Sequence, residues 1–492
     1  MKSVIVIGAG MGGLAVALRL RRMGFAVTVL EKRSRPGGRS YVIEEDGYRV
    51  DTGPTILVMK EQFEQLYRDL GRDLHQRLQL TQLDPNYRLY FHDGRMLDLY
   101  PNMARLAQAV EAFEPGAGEK VFDFLGNNAR KYALGMPFVT RNFDHLTDLA
   151  NPIAGYRLFA TAAHENLYRQ VARYFQSDAL RKAFSFHSMF LGLSPYESPA
   201  IYALITYADL ARGMYFPQGG IYRIIEDLVT MAQEDGVVLR TSAPVAQILV
   251  ENGRAVGVRL ESGEELRADA VVSNADLPYT YRKLVPAGVR RDYSDRRLQR
   301  MKYACSGFLL YLGLDRTYPQ LTHQALYFAE DYRANLDAIF VTGELPADPS
   351  FHLNCPTRSD PALAPEGHEL LYVLAPMPSL EKGRVDWSRA AETVREQLLS
   401  RLEQVVDRDI RKHIVWERRY TPVDFERDLN AVYGTAFGSL AHNFFQSAYF
   451  RPHNVARALP GLYFVGQGTY PGIGMPMVMI SAQLTAERLR TL

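Results

Sequence analysis

Near the start of the chain, Gly8-Ala9-Gly10-Met11-Gly12-Gly13 has the spacing of a turn that brings backbone against a diphosphate. Gly8 suits the tight turn, Gly10 lets the phosphates approach, and Gly13 lets a helix pack closely on a strand, while Ala9 and Gly12 complete the loop. The N-terminus of the helix that follows favours negative charge. Glu31 ends the next strand, where a carboxylate accepts hydrogen bonds from an adenosine ribose and repels a 2′-phosphate. The chemistry these residues support is dinucleotide binding.

Three later segments bear on the same ligand. Arg35-Pro36-Gly37-Gly38-Arg39-Ser40 is a second glycine turn ending in a guanidinium that reaches a diphosphate. Asp51-Thr52-Gly53-Pro54-Thr55 makes a further turn. At the other end of the chain, Leu462-Tyr463-Phe464-Val465-Gly466-Gln467-Gly468-Thr469 again runs a strand into glycines and a helix start. One dinucleotide held from both chain ends accounts for all of them.

The elements that must position these turns follow from periodicity. Residues 4–7 read as a strand, 14–23 as a helix capped by Gly24 and 26–30 as a second strand, a βαβ start that implies a parallel sheet. Residues 62–74 are helical by period, and 87–91 with 96–99 form a hairpin closed at Asp93-Gly94. Residues 100–215 are mostly helical and rich in aromatic side chains. A helix at 221–234, a strand at 237–241, hairpins at Asn252-Gly253 and Ser262-Gly263, and a strand at 270–273 return to the first domain. Residues 301–314, 325–341 and 369–375 read as long strands, 389–406 as a helix, 410–420 as a strand, and 461–492 closes with a helix.

Composition removes several classes. The chain has 492 residues, and 57 Lys plus Arg against 55 Asp plus Glu leave a net charge of +2, too little for nucleic-acid binding. With 47% hydrophobic and 23% charged residues it is neither disordered nor a coiled coil. Cys305 and Cys355 form no disulfide framework and no metal-ligand spacing, so no metal is expected and a reducing, cytoplasmic setting fits. Met1 and Lys2 lead directly into the first strand, so the chain is expected to begin as a folded domain without a secretory leader. Residues 462–482 carry no charge, but Pro471, Pro476 and several glycines argue for strand, turn and helix start rather than a membrane span.

Taken together, GAGMGGL, EKRSRPGGR, DTGPT, FSFHSMFLG, FPQGG, VVSNAD, LAPEG, YVLAPMP, YTPVDFE, FRPHN and GLYFVGQGTYPGIGMP resemble, in order and over nearly the whole chain, the bacterial and fungal phytoene desaturase family, FAD enzymes of amine-oxidase type. The resemblance implies an α/β fold: a Rossmann-type FAD-binding domain built from residues 1–85, 216–300 and 456–492, and a discontinuous mixed-sheet substrate domain from 86–215 and 301–455 with a helical membrane or lid region. It implies FAD as cofactor, held by Gly8, Ala9, Gly10, Gly12, Gly13, Glu31, Lys32, Gly38, Arg39, Gly53, Pro54, Thr55, Val245, Gly466, Gly468, Gly474 and Met475. It implies desaturation of a long apolar polyene such as the C40 carotenoid phytoene, with C30 diapocarotenoid desaturase, carotenoid ketolase or oxygenase, carotene isomerase and flavin amine oxidase as alternatives on one scaffold. Oxygen or a quinone would accept the electrons. A peripheral membrane association is implied, with an amphipathic face expected over residues 124–175.

Asp144 is the candidate polar group beside the reacting polyene, and His187 reads as a hydrogen-bonded core histidine or a general acid. The family pattern more often has His-Pro-Gly where this chain has Tyr470-Pro471-Gly472, and Tyr470, Met475 and Met477 are expected beside the flavin.

Overall fold

A computed structural model of the chain describes residues 1–145 and 165–492. Strand β1 (Ser3–Ile7) turns at Gly8 into helix α1 (Met11–Arg22), and β2 (Ala26–Leu30) returns parallel to β1, with Ser3 opposite Ala26 and Ile7 opposite Leu30. From Met11 to Leu20 every residue of α1 is buried, because the helix lies between this sheet and the closing helix Met475–Leu489. A helix enclosed on both sides has no need of a polar face.

Five parallel strands make the first sheet, in the order Leu462–Phe464, Ala270–Ser273, β1, β2, Val238–Arg240. Both ends of the chain and its middle therefore meet in one sheet. The glycine turns after β1 and after Leu462–Phe464 leave from the same edge of it, where ligands of such sheets bind.

A second, seven-stranded sheet has the order Ile414–Tyr420, Ser306–Leu314, Glu369–Met377, Phe351–Asn354, Gln324–Phe328, Tyr87–Phe91, Met96–Leu99. It is mixed: Gln324–Phe328 runs parallel to Tyr87–Phe91, and the remaining pairs are antiparallel. Strand Ser306–Leu314 is buried along its whole length, and its two faces serve different cores. Phe308, Leu310 and Leu312 pack with Val394 and Leu398 of helix Trp387–Val405, whereas Leu309 and Tyr311 face the larger core.

Several expectations are corrected. Residues 325–341 are not one strand: Gln324–Phe328 stops, and Asp331 caps the helix Tyr332–Asp337 by accepting from the Ala334 N–H at 2.8 Å. The apolar run 338–341 continues as helix, not strand. Strand Ile414–Tyr420 begins after a short helical turn, Ile410–His413, and the helix read over 62–74 divides into Glu61–Asp69 and Leu74–Arg77. Of the amphipathic face expected over residues 124–175, Arg130 and Arg141 are exposed and Tyr132 and Phe138 half-buried. Phe124, Lys131 and Phe143 are buried, and Phe124 turns inward, edge-on to Phe184 and tilted against Phe175; Tyr156, Arg157 and Phe159 lie outside the described residues. Among the described residues no helix is long and apolar enough to cross a membrane.

Candidate functional site

The β1–α1 turn is bare backbone for a steric reason. Gly8 has φ +95°, and a Cβ on Gly13 would strike the Gly8 carbonyl oxygen, so helix and strand approach only without a side chain there. A Cβ on Gly10 would stand 2.8 Å from Asn274 Oδ1, and one on Gly12 would stand 2.9 Å from Asn274 Nδ2 and 3.4 Å from the Gly466 Cα. Asn274 directly follows strand Ala270–Ser273 and donates through Nδ2 to the Val465 carbonyl at 3.0 Å. It is the wedge between the two glycine turns, and sequence reasoning quoted its motif without assigning it a role.

Glu31 is buried at the end of β2 and accepts from the Ala9 N–H (2.8 Å) and the Arg33 N–H (2.9 Å). Its carboxylate is thereby oriented at the cradle with lone pairs left for a ribose. Glu31→Ala should weaken FAD retention about tenfold, ~1.4 kcal/mol. Flavin absorbance of the purified variant against total protein checks this, and full retention would remove Glu31 from the site.

The second half of the cradle is held by the seven-stranded sheet. Tyr311 donates to the Thr52 carbonyl at 3.0 Å, Tyr372 to the Gly53 carbonyl at 3.2 Å, and Gln324 Nε2 to the Thr55 carbonyl at 3.3 Å. Asp51, at the head of this turn, accepts from the backbone N–H groups of Ile221 (2.6 Å) and Tyr222 (2.9 Å) and caps the helix Tyr222–Glu234. Gly220, at φ +93°, leaves room for that carboxyl, and burial pushes its pKa up to about 6. Arg39 extends between Asp276 (3.4 Å) and the Gln467 side-chain amide, whose oxygen accepts from its Nε and Nη1 at 2.9 and 2.8 Å. These grips span hundreds of residues and leave no local signal.

All these turns open into one cavity of about 1340 Å³, above the roughly 300–1,000 Å³ of an ordinary small-molecule pocket. Gly8, Gly10, Gly12, Glu31, Lys32, Gly38, Arg39, Gly53, Pro54, Thr55, Val245, Gly466, Gly468, Gly474 and Met475 all line it. Ala9 and Gly13 do not: Ala9 orients Glu31 and Gly13 packs against Gly8. Beyond the glycine turns the wall is chiefly apolar, including Phe186, Phe190, Leu204, Ile205, Phe328 and Leu336.

Asp144 is corrected by its position. It is more than half exposed and pairs with Arg488 Nη1 at 2.6 Å, while its neighbour Phe143 lines the cavity. His187 is fully buried, with Nδ1 3.1 Å from Thr206 Oγ1, and burial pushes its pKa down to about 3, so it carries no proton to donate as an imidazolium at neutral pH. Its partner Asp209, 3.5 Å away, lines the cavity and is pushed up to about 8 by burial. Tyr470 does not face the cavity: it packs edge-on against Phe143 in a small core, whereas Met475 and Met477 do line it.

The fit to FAD rests on this geometry. Backbone lies bare where side chains at Gly10, Gly12 and Gly466 would fill the cradle, a buried carboxylate stands at the end of β2, and the apolar space continues beyond. Comparison with known proteins agrees. The model of the flavin containing amine oxidoreductases matches residues 11–490. The chain is 41% identical over 492 residues to a zeta-carotene-forming phytoene desaturase of Myxococcus xanthus, covering 100% of this chain and 94% of that one. It is 34% identical to a 4,4'-diapophytoene desaturase of Staphylococcus haemolyticus (99% and 98% covered) and 35% identical to a phytoene desaturase of Neurospora crassa (99% and 84% covered). Among solved structures, an oxidoreductase from Methanosarcina mazei (TM-score 0.65, 18% identity, 99% and 100% covered) and a putrescine oxidase (TM-score 0.65, 14% identity, 100% and 99% covered) have the same fold.

Proposed function

We propose that this chain, which belongs to the flavin-containing amine oxidoreductase family and within it to the phytoene desaturases, introduces double bonds into a linear C40 carotenoid such as phytoene. It is an FAD-dependent oxidoreductase. The observation that carries the reading is the continuity of the cavity: the dinucleotide cradle opens without a partition into an apolar chamber. Unactivated C–H bonds offer no polar handle, and FAD, when bound, supplies the hydride acceptor that no side chain here provides.

The chain's own residues then have three tasks. Gly8, Gly10, Gly12, Glu31, Gly38 and Arg39 would hold the adenosine and diphosphate; Gly53 to Thr55 with Gly466, Gly468, Gly474 and Met475 would border the ring end, with Lys32 and Val245 completing the wall. Phe186, Phe190, Leu204, Ile205 and Phe328 bind the polyene by apolar burial and exclude water. At the surface, Tyr449 and Phe450 line the cavity while Phe450 and Phe445 are 50% and 75% exposed, which supports an apolar mouth set against a lipid surface. The relatives at 34–41% identity include a C30 as well as C40 desaturases, and the choice of C40 follows the Myxococcus xanthus protein.

The test is expression beside a phytoene-producing and, separately, a diapophytoene-producing pathway, with chromatography of the pigments and turnover of the purified enzyme on substrate in liposomes and dispersed without lipid. More conjugated products from phytoene, dependent on lipid, are expected. Unchanged hydrogen count with altered geometry, added oxygen, or oxidation of soluble amines instead would overturn the reading.

A further inference from the structure

Behind the Gly466–Gly474 turn lies Arg451, the largest fully buried side chain among the described residues. Its guanidinium donates to the carbonyl oxygens of Thr469 (3.2 Å), Gln446 (3.2 Å), Leu440 (3.4 Å) and Gln467. Among the described residues no carboxylate pairs with it; the titratable groups that face it are Tyr202, Tyr293 and His442. Neither tyrosine is ionised at neutral pH. His442, whose Nε2 accepts from the Ile473 N–H at 3.0 Å, is held neutral by burial and by the charge of Arg451 itself. On the cavity side of the same turn, Arg39 lies between Asp276 and the Gln467 side chain.

A buried cation without a counter-charge is expensive to keep, since neutral donors could bond carbonyls at lower desolvation cost. Two of its acceptors, Gln467 and Thr469, belong to the turn whose Gly466, Gln467, Gly468 and Ile473 line the cavity. Glu31 and the β1–α1 glycines take the adenosine and diphosphate end of FAD, so the redox-active ring is left to the stretch that this turn borders. Reduction by a hydride adds two electrons and one proton, one net negative charge.

We propose that Arg451 is a positioning residue whose fixed positive charge, acting through the Gly466–Gly474 turn, raises the affinity of bound FAD for electrons and keeps the reduced cofactor anionic. The inference rests on FAD binding and not on the identity of the substrate.

The test uses the holoenzyme and reads the midpoint potential by equilibration with reference dyes, beside flavin content and thermal melting. Arg451→Met with FAD bound should shift the reduced-to-oxidised ratio at fixed solution potential at least tenfold toward oxidised, about 30 mV for a two-electron couple. Arg451→Lys keeps the charge and loses hydrogen bonds, so it should melt lower yet hold the potential. An unchanged potential in Arg451→Met, or an equal fall in both variants, would reduce Arg451 to a structural staple. The unmodified holoenzyme gives an independent reading where Arg451→Met does not fold. Uptake of one proton per two electrons predicts a fall of about 30 mV per tenfold drop in proton concentration between pH 6 and 8, and a slope of about 59 mV would overturn the proposal.

Discussion

Gly10→Val should yield a folded protein stripped of FAD. Gly10 caps α1 at φ −72° and ψ 173°, a conformation that valine adopts without strain, so the effect of the substitution is confined to what its side chain meets. That is Asn274: the Cβ alone lands 2.8 Å from Oδ1, and the added methyls occupy the space a diphosphate needs. Asn274 has no free direction of retreat, since its Nδ2 is committed to the Val465 carbonyl and Gly12, Gly13 and Gly466 crowd it from three sides. Blocking backbone approach and displacing the wedge together should cost at least about 3 kcal/mol of FAD affinity, a hundredfold or more. The expected readout is a flavin-to-protein ratio under about one tenth with far-ultraviolet circular dichroism intact. Gly13→Val is the contrast: its Cβ strikes the Gly8 carbonyl within the fold itself, so it should lower stability as well as flavin content. Stoichiometric FAD in Gly10→Val would break the assignment of the turn.

What could be read in advance was what depends on near neighbours. The strand 26–30 and the hairpin 87–91 with 96–99 match the observed bounds because alternation and the Asp93-Gly94 turn act locally. Glu31 was legible for the same reason, its role being fixed by the end of β2. Residues 325–341 were misread because Ile339, Phe340 and Val341 look like strand material, while the deciding event is the Asp331 cap eight residues upstream. Asn274, Tyr311 and Tyr372 were missed because each acts on a turn far away in sequence, and Arg451 because nothing in its own surroundings announces that its guanidinium folds under the following glycine turn. Asp144 was expected beside the polyene, yet it lies more than half exposed and pairs with Arg488 of the closing helix. Tyr470 was expected to face the cavity because the turn does, but its own neighbours Phe143, Ile480 and Leu484 offer it a drier place.

Ala208→Trp should leave FAD in place and abolish turnover of a long polyene. Ala208 is buried on the helix Ala203–Arg212 and lines the cavity in line with Leu204 and Ile205, one turn earlier on the same face. An indole at this position would take up space in the cavity whose apolar wall includes Phe186, Leu326 and Phe328, and none of the residues assigned to the cofactor lies on this helix. Binding of an extended hydrocarbon is a sum of small contacts along its length, so an obstruction cannot be bypassed by strengthening one polar contact elsewhere. A loss of at least about 2.7 kcal/mol of transition-state stabilisation, a hundredfold in kcat/KM, is expected on the long substrate. A shorter polyene that reaches the ring without passing Ala208 should lose far less, which separates a blocked channel from a damaged protein. Ala208→Leu, with a smaller side chain, should fall between the two, and flavin content with melting temperature reports whether the fold survives each change. Wild-type turnover of the long substrate by Ala208→Trp with full flavin would mean that the polyene does not run along this helix, and the apolar chamber would need another occupant.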